Sequence, residues 1–214
     1  MKKIWFFVEG DSEENLIKSI IHCFYHGINL EKDESKFIND QYDKDVCYCH
    51  NVGGVNRIAY EINDYNYKIS RSGSNEVIVV CDVEDLKCNS SRLNAIQTRL
   101  VDETKKLNIY YVFFNPIIEN LYWNCPSVLK RTIEIIYARK FGDATLVKDI
   151  NLPQTDCISK HKLKLLFQHY DIKYSERQFS NIFFPRVPYD QCNNYEIRRL
   201  MNFINQIIVN PVSH

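Results

Sequence analysis

The chain has 214 residues, 45% of them apolar, which is enough to bury one substantial core and excludes a disordered or low-complexity polypeptide. Lysine plus arginine and aspartate plus glutamate both number 27, so the zero net charge excludes a uniformly basic or acidic molecule and by itself selects no partner. No run approaches the roughly 20 apolar residues of a membrane span, and Glu9 and Asp11 cut the first apolar stretch too short for a signal peptide; the expected location is the cytoplasm.

In chain order, residues 4–8 form a short apolar run that reads as a buried strand and stops at Glu9-Gly10-Asp11. Asp11 can cap a following helix with Glu14 three residues on, and Leu16, Ile17, Ile20, Ile21 and Phe24 recur at helical spacing up to Gly27. Residues 31–44 are rich in charge and asparagine and read as a solvated loop. Residues 46–52 are the second strand, ended by Gly53-Gly54, and residues 55–69 a second helix. The turn at Ser72-Gly73-Ser74-Asn75 leads into a third strand, 77–81, which ends at Asp82-Val83-Glu84-Asp85. Residues 91–106 have helical composition, and 107–114 form a fourth β-branched and aromatic run that stops at Asn115-Pro116. Strands alternating with helices predict βαβ crossovers, hence a mostly parallel sheet covered on both faces. Beyond Pro126 the pattern turns helical, with predicted helices over 128–140, 160–169 and 195–208. The expected organisation is an α/β domain over residues 1–126 and a helical C-terminal region over 127–214 packed on it. The first part carries 14 basic and 19 acidic residues and the second 13 and 8, an asymmetry that suits an acidic centre beside a basic surface.

In an open parallel sheet the strand ends face one crevice, so acids distant in sequence can converge there. Glu9 follows the first strand, Asp82 and Glu84 follow the third in the order D-x-E, and Glu119 lies just past the fourth. Two unit charges about 4 Å apart repel by roughly 4 kcal/mol at an effective dielectric near 20, and a divalent cation relieves that repulsion. Each acid alone also reads as a solvated strand end or a helix cap; as a set they read as a metal site. Gly53-Gly54-Val55-Asn56-Arg57 can present backbone N–H groups and the Arg57 charge to a phosphate, or can be a plain turn. Lys160, Lys162 and Lys164, with His161, Arg186, Arg198 and Arg199, can follow a nucleic-acid backbone, with Tyr170, Tyr174 and Phe179 available to stack on bases, or can be ordinary solvated helix faces.

Two other groupings carry less. His22-Cys23-Phe24-Tyr25-His26 has cysteine where H-E-x-x-H needs its glutamate, and Cys47-Tyr48-Cys49-His50 has no second pair at zinc-knuckle spacing. The eight cysteines are scattered, which suits free thiols in a reducing compartment better than a disulfide framework.

Val8-Glu9-Gly10, the Gly53-Gly54 turn, the acidic pair Asp82-x-Glu84 and Glu119 together resemble the Toprim fold of topoisomerases, primases and overcoming-lysogenization-defect (OLD) nucleases, and most of all the small bacterial Toprim proteins of the OLD and RloB kind, many linked to phage defence. The resemblance covers residues 1–126 and implies a Rossmann-like parallel sheet. It implies catalytic roles for Glu9, as general base or metal ligand, and for Asp82 and Glu84, with Mg²⁺ or Mn²⁺ held by Glu9, Asp82, Glu84 and Glu119. Glu84 departs from the family pattern, which has aspartate there. The implied reaction is hydrolysis of nucleic-acid phosphodiester bonds by an effector of anti-phage defence, with a DNA or RNA substrate; a regulatory protein partner and a homodimer are both compatible with it. Two other readings stay open. The chain can be a catalytically inactive Toprim-like module that binds nucleic acid or a partner protein, or an enzyme that transfers phosphoryl groups of small nucleotides. None of its 14 tyrosines is singled out as a nucleophile.

Overall fold

A computed structural model describes residues 1–83, 88–115, 117–142 and 160–209. Five parallel strands form one sheet: β1 (Lys3–Val8), β2 (Asn29–Glu31), β3 (Val46–Asn51), β4 (Glu76–Asp82) and β5 (Asn108–Phe114), in the order β2-β3-β1-β4-β5. The four strands expected from apolar runs are β1, β3, β4 and β5. Central β1 pairs with β3 on one side and β4 on the other, so every one of its backbone groups can enter a ladder and all its side chains after Lys3 are buried.

The strand period of two divides these side chains between two cores. Ile4, Phe6 and Val8 face one cluster with Ile78, Val80, Val112 and Phe114, while Trp5 and Phe7 face another with Val77, Val79, Cys81, Tyr111 and Phe113. The second cluster is closed by α2 (Glu34–Asn39), α3 (Ile58–Arg71) and α4 (Asn89–Gln97) through Phe37, Ile58, Ile62 and Ile96. The first is closed by α1 (Asp11–Phe24), α5 (Asn120–Asn124), α6 (Pro126–Phe141), α7 (Lys160–His169), α8 (Glu176–Phe183) and α9 (Tyr195–Val209). The architecture is therefore α/β with helices on both faces, and C-terminal helices extend one face.

Several elements differ from the sequence expectation. The charged stretch read as a loop holds β2 and α2. Asp33 caps α2 by accepting from the Ser35 and Lys36 N–H groups, and Phe37 alone buries it, with its ring 4.9 Å from Trp5. The expected helix over 91–106 is the shorter α4 followed by a 3₁₀ turn at Thr104–Lys106, and the helix after Gly54 begins with a 3₁₀ turn at Val55–Arg57. Helix α8 was not expected from the sequence. It starts at the Ser175 cap and buries Phe179, Ile182 and Phe183 at helical spacing. No helix among the described residues is long and apolar enough to cross a membrane.

Candidate metal centre

Val8 pairs with Val80 in the parallel register, so the C-terminal ends of β1 and β4 lie side by side. Glu9, one step past β1, and Asp82, the last residue of β4, are thereby neighbours. The Asp82 N–H donates to Glu9 Oε2 at 3.0 Å, and the Glu9 N–H donates to the Val80 carbonyl at 3.2 Å. Gly10 turns the chain into α1 and occupies the cap position that the sequence assigned to Asp11. The first turn then delivers a third carboxylate, buried Glu13, whose Oε2 accepts from the Gly10 N–H at 3.1 Å. Asp82 is 2% exposed, and its Oδ1 accepts from the Ile118 N–H at 2.8 Å. One oxygen from each of Glu9, Glu13 and Asp82 lies within 4.8 Å of the other two.

At that spacing each pair of ionised acids repels by about 3 kcal/mol at an effective dielectric near 20. Burial and this crowding act in the same direction. Burial, then the Glu9 charge, pushes the Glu13 carboxyl up to about 8, and burial, then Glu13, Glu9 and Glu119, pushes Asp82 up to about 10. The donor set fits a hard divalent cation, because it consists of three carboxylates, each fixed at one oxygen by a backbone N–H. The three acids line an open cleft of about 370 Å³ whose wall also includes Lys160 and Glu176.

Glu119, immediately before α5, is fully buried. Its counter-charge is the Lys160 ammonium, 3.4 Å from Glu119 Oε1 and 3.6 Å from Glu176 Oε2. Burial raises the pKa of Glu119, and Lys160 opposes the rise. Burial likewise disfavours the Lys160 ammonium, but Glu119, Glu176 and Asp82 outweigh it and hold its pKa above that of an ordinary lysine.

The sequence-derived residues thus have distinct placements. Glu9 and Asp82 meet in the acidic group, Glu119 stands beside it in the Lys160 ion pair, and Glu84 lies outside the described residues. The Gly53 N–H is taken by Asn51 Oδ1 at 3.1 Å and the Gly54 N–H by the Glu9 carbonyl at 2.9 Å, while exposed Arg57 pairs with Glu61. Of the lysines on α7, Lys160 lines the cleft, whereas Lys162 and Lys164 are exposed and outside its lining. Phe179 is fully buried against Tyr122, so it is closed to base stacking. Among the described residues neither His22, Cys23 and His26 nor Cys47, Cys49 and His50 converge as a ligand group. Glu13 and Glu176 escaped the sequence reading. Glu13 carried one usable signal, its place four residues after Glu9 across a strand-to-helix junction.

No family model and no curated protein sequence matches the chain. Among solved structures, the chain is similar to the C-terminal region of the OLD protein of Xanthomonas campestris pv. campestris, with a TM-score of 0.53 and 13% identity over 98% of this chain and 97% of that one. At this identity the likeness is one of fold.

Proposed function

We propose that this protein is a Mg²⁺- or Mn²⁺-dependent nuclease that hydrolyses nucleic-acid phosphodiester bonds. The observation that carries the reading is the convergence of Glu9, Glu13 and Asp82 in one cleft, two of them buried and holding protons far above the usual carboxylate range. Glu13 and Asp82, with Glu84 as the family resemblance implies, would hold the cation, and Glu9 is assigned as a further ligand or as general base. A divalent cation bound there would polarise the scissile phosphate and lower the pKa of an attacking water. Lys160, the cation in the cleft lining, is the group that would meet a phosphate of the substrate. The fold likeness to the C-terminal region of an OLD protein supports this reading, and the role of effector in anti-phage defence follows from the same resemblance.

A second reading is favoured by one observation, the ion pairs of Lys160 with Glu119 and Glu176 inside the cleft. These suit an inert module in which internal pairing answers the acids and the protein only binds nucleic acid or a partner. Labelled DNA and RNA incubated with the purified protein and Mg²⁺ or Mn²⁺ separate the two. The nuclease cleaves one of them, and Glu9→Gln, Glu13→Gln and Asp82→Asn each lower the rate by on the order of 100-fold or more with an unchanged circular dichroism spectrum. Binding without cleavage in every metal supports the inert module.

A further inference from the structure

We propose that Arg92 is a positioning residue of the metal centre: its buried guanidinium holds the Val83 carbonyl and thereby fixes the backbone that joins Asp82 to Glu84. The inference rests on the metal-dependent nuclease reading and adds to it a residue that acts on the cation only through others. Helix α4 has two buried side chains, Arg92 and Ile96, which stand four residues apart and so share one helix face. Ile96 joins the second core cluster. Arg92 is only 6% exposed, and its Nη2 donates to the Val83 carbonyl at 2.8 Å. A guanidinium is costly to take out of water, and packing alone would be served better by an apolar side chain at that place. What the arginine provides instead is a charged donor directed at one carbonyl.

Val83 follows the last residue of β4 and is fully buried in the same cluster. Its N–H donates to the Phe114 carbonyl at 2.8 Å, which carries the bonding between β4 and β5 one step past Asp82. With the carbonyl taken by Arg92, both peptide groups of Val83 are fixed, one by β5 and the other by α4. The first of these peptide groups is shared with Asp82, whose Oδ1 is held by the Ile118 N–H, and the second leads on to Glu84. Loss of Arg92 leaves a buried acceptor to find another donor, and the strand end that carries the acids shifts with it.

The test is Mn²⁺ titration of the full chain by calorimetry at pH 8, with circular dichroism to establish that each protein is folded at the working temperature. Arg92→Met should weaken Mn²⁺ binding by about 10–100-fold, and Arg92→Lys, whose ammonium can still donate to a carbonyl, by less. Ile96→Val and Ile96→Ala are the controls, because they loosen α4 without removing the donor to Val83; they should lower the melting temperature and leave Mn²⁺ affinity close to that of the parent. Should Arg92→Met not fold, Arg92→Lys carries the test, since it must bind Mn²⁺ more weakly than an Ile96 variant of equal melting temperature. Arginine variants that bind as tightly as the parent, or Ile96 variants that lose as much affinity as they do, would overturn the inference and leave the metal reading intact. A parent chain that binds no Mn²⁺ overturns the metal reading itself, and this inference falls with it.

Discussion

Glu119 and Lys160 are unequal partners, since the acid is fully buried while 45% of the lysine side chain is exposed. Removing the lysine strands a fully buried carboxylate, whereas removing the acid leaves a part-exposed ammonium with Glu176 and water. Loss of one partner of a fully buried pair costs about 3–5 kcal/mol, and the exposure of Lys160 brings that down. We expect Lys160→Met to destabilise the protein by roughly 1–3 kcal/mol at pH 7, and by less as the pH falls, since burial favours the protonated form of the Glu119 carboxyl. In a Glu119→Gln background the same change should cost under about 1 kcal/mol. Urea denaturation of the four proteins measures this coupling, and equal costs in both backgrounds would show that the pair contributes nothing. At this scale the sequence was only partly legible. Glu9 and Asp82 stand at the ends of apolar runs and announce themselves, whereas Glu13 looks like any acid in the first turn of a helix. Glu176 comes from an element that the sequence reading lacked.

The acidic group is assembled at the junction of β1 with α1, and β3 holds that junction from the side. Asn51, the last residue of β3, donates to Asp11 Oδ1 at 3.3 Å and to Glu14 Oε2 at 3.2 Å, and Gly54 donates to the Glu9 carbonyl. Gly54 reaches that carbonyl with a φ of 140°, a conformation that side-chain-bearing residues rarely adopt. Gly54→Ala should therefore cost about 1–3 kcal/mol although a Cβ meets open space there, and should weaken Mn²⁺ binding by releasing Glu9. Thermal unfolding together with Mn²⁺ titration checks both effects; an alanine variant as stable as the parent would show that the junction tolerates another geometry. The same physics sets what could be read from the sequence. Strands β1, β3, β4 and β5 are legible because burial makes most of their residues apolar and turns or acids end them. Strand β2 and helix α2 are not, because each is short and carried by few buried side chains, Phe37 above all in α2. Helix α8 shows its apolar spacing only once the segment 179–184 is divided between a helix and the 3₁₀ turn at Phe184–Arg186.

Across the whole molecule, an acidic N-terminal part supplies the three converging carboxylates and a basic C-terminal part folds back to place Lys160 beside them. One lysine against six acids in or beside the cleft leaves the metal-free protein with a folded state that prefers to keep protons. Glu13 and Asp82 bind protons more tightly folded, at about 8 and about 10, than their ordinary values of 4.5 and 3.8. Between those limits the folded state holds more protons than the unfolded one, so stability is greatest below about pH 4 from these groups and falls as pH rises, by about 1.4 kcal/mol per pH unit for each proton retained. A bound divalent cation reverses the sign, because it requires the ionised carboxylates that the empty fold resists. In EDTA the melting temperature should therefore decline from pH 6 to pH 8. Mn²⁺ held at one concentration, about 100 times its Kd at pH 8, should raise it by roughly 5–10 °C at pH 8 and by clearly less at pH 6. Glu13→Gln should flatten the decline and lose most of the Mn²⁺ shift, since the amide neither titrates nor supplies a charged ligand. A metal-induced shift that is the same at both pH values would mean that the cation binds elsewhere on the protein, because only a site built from these carboxylates must release their protons to accept it.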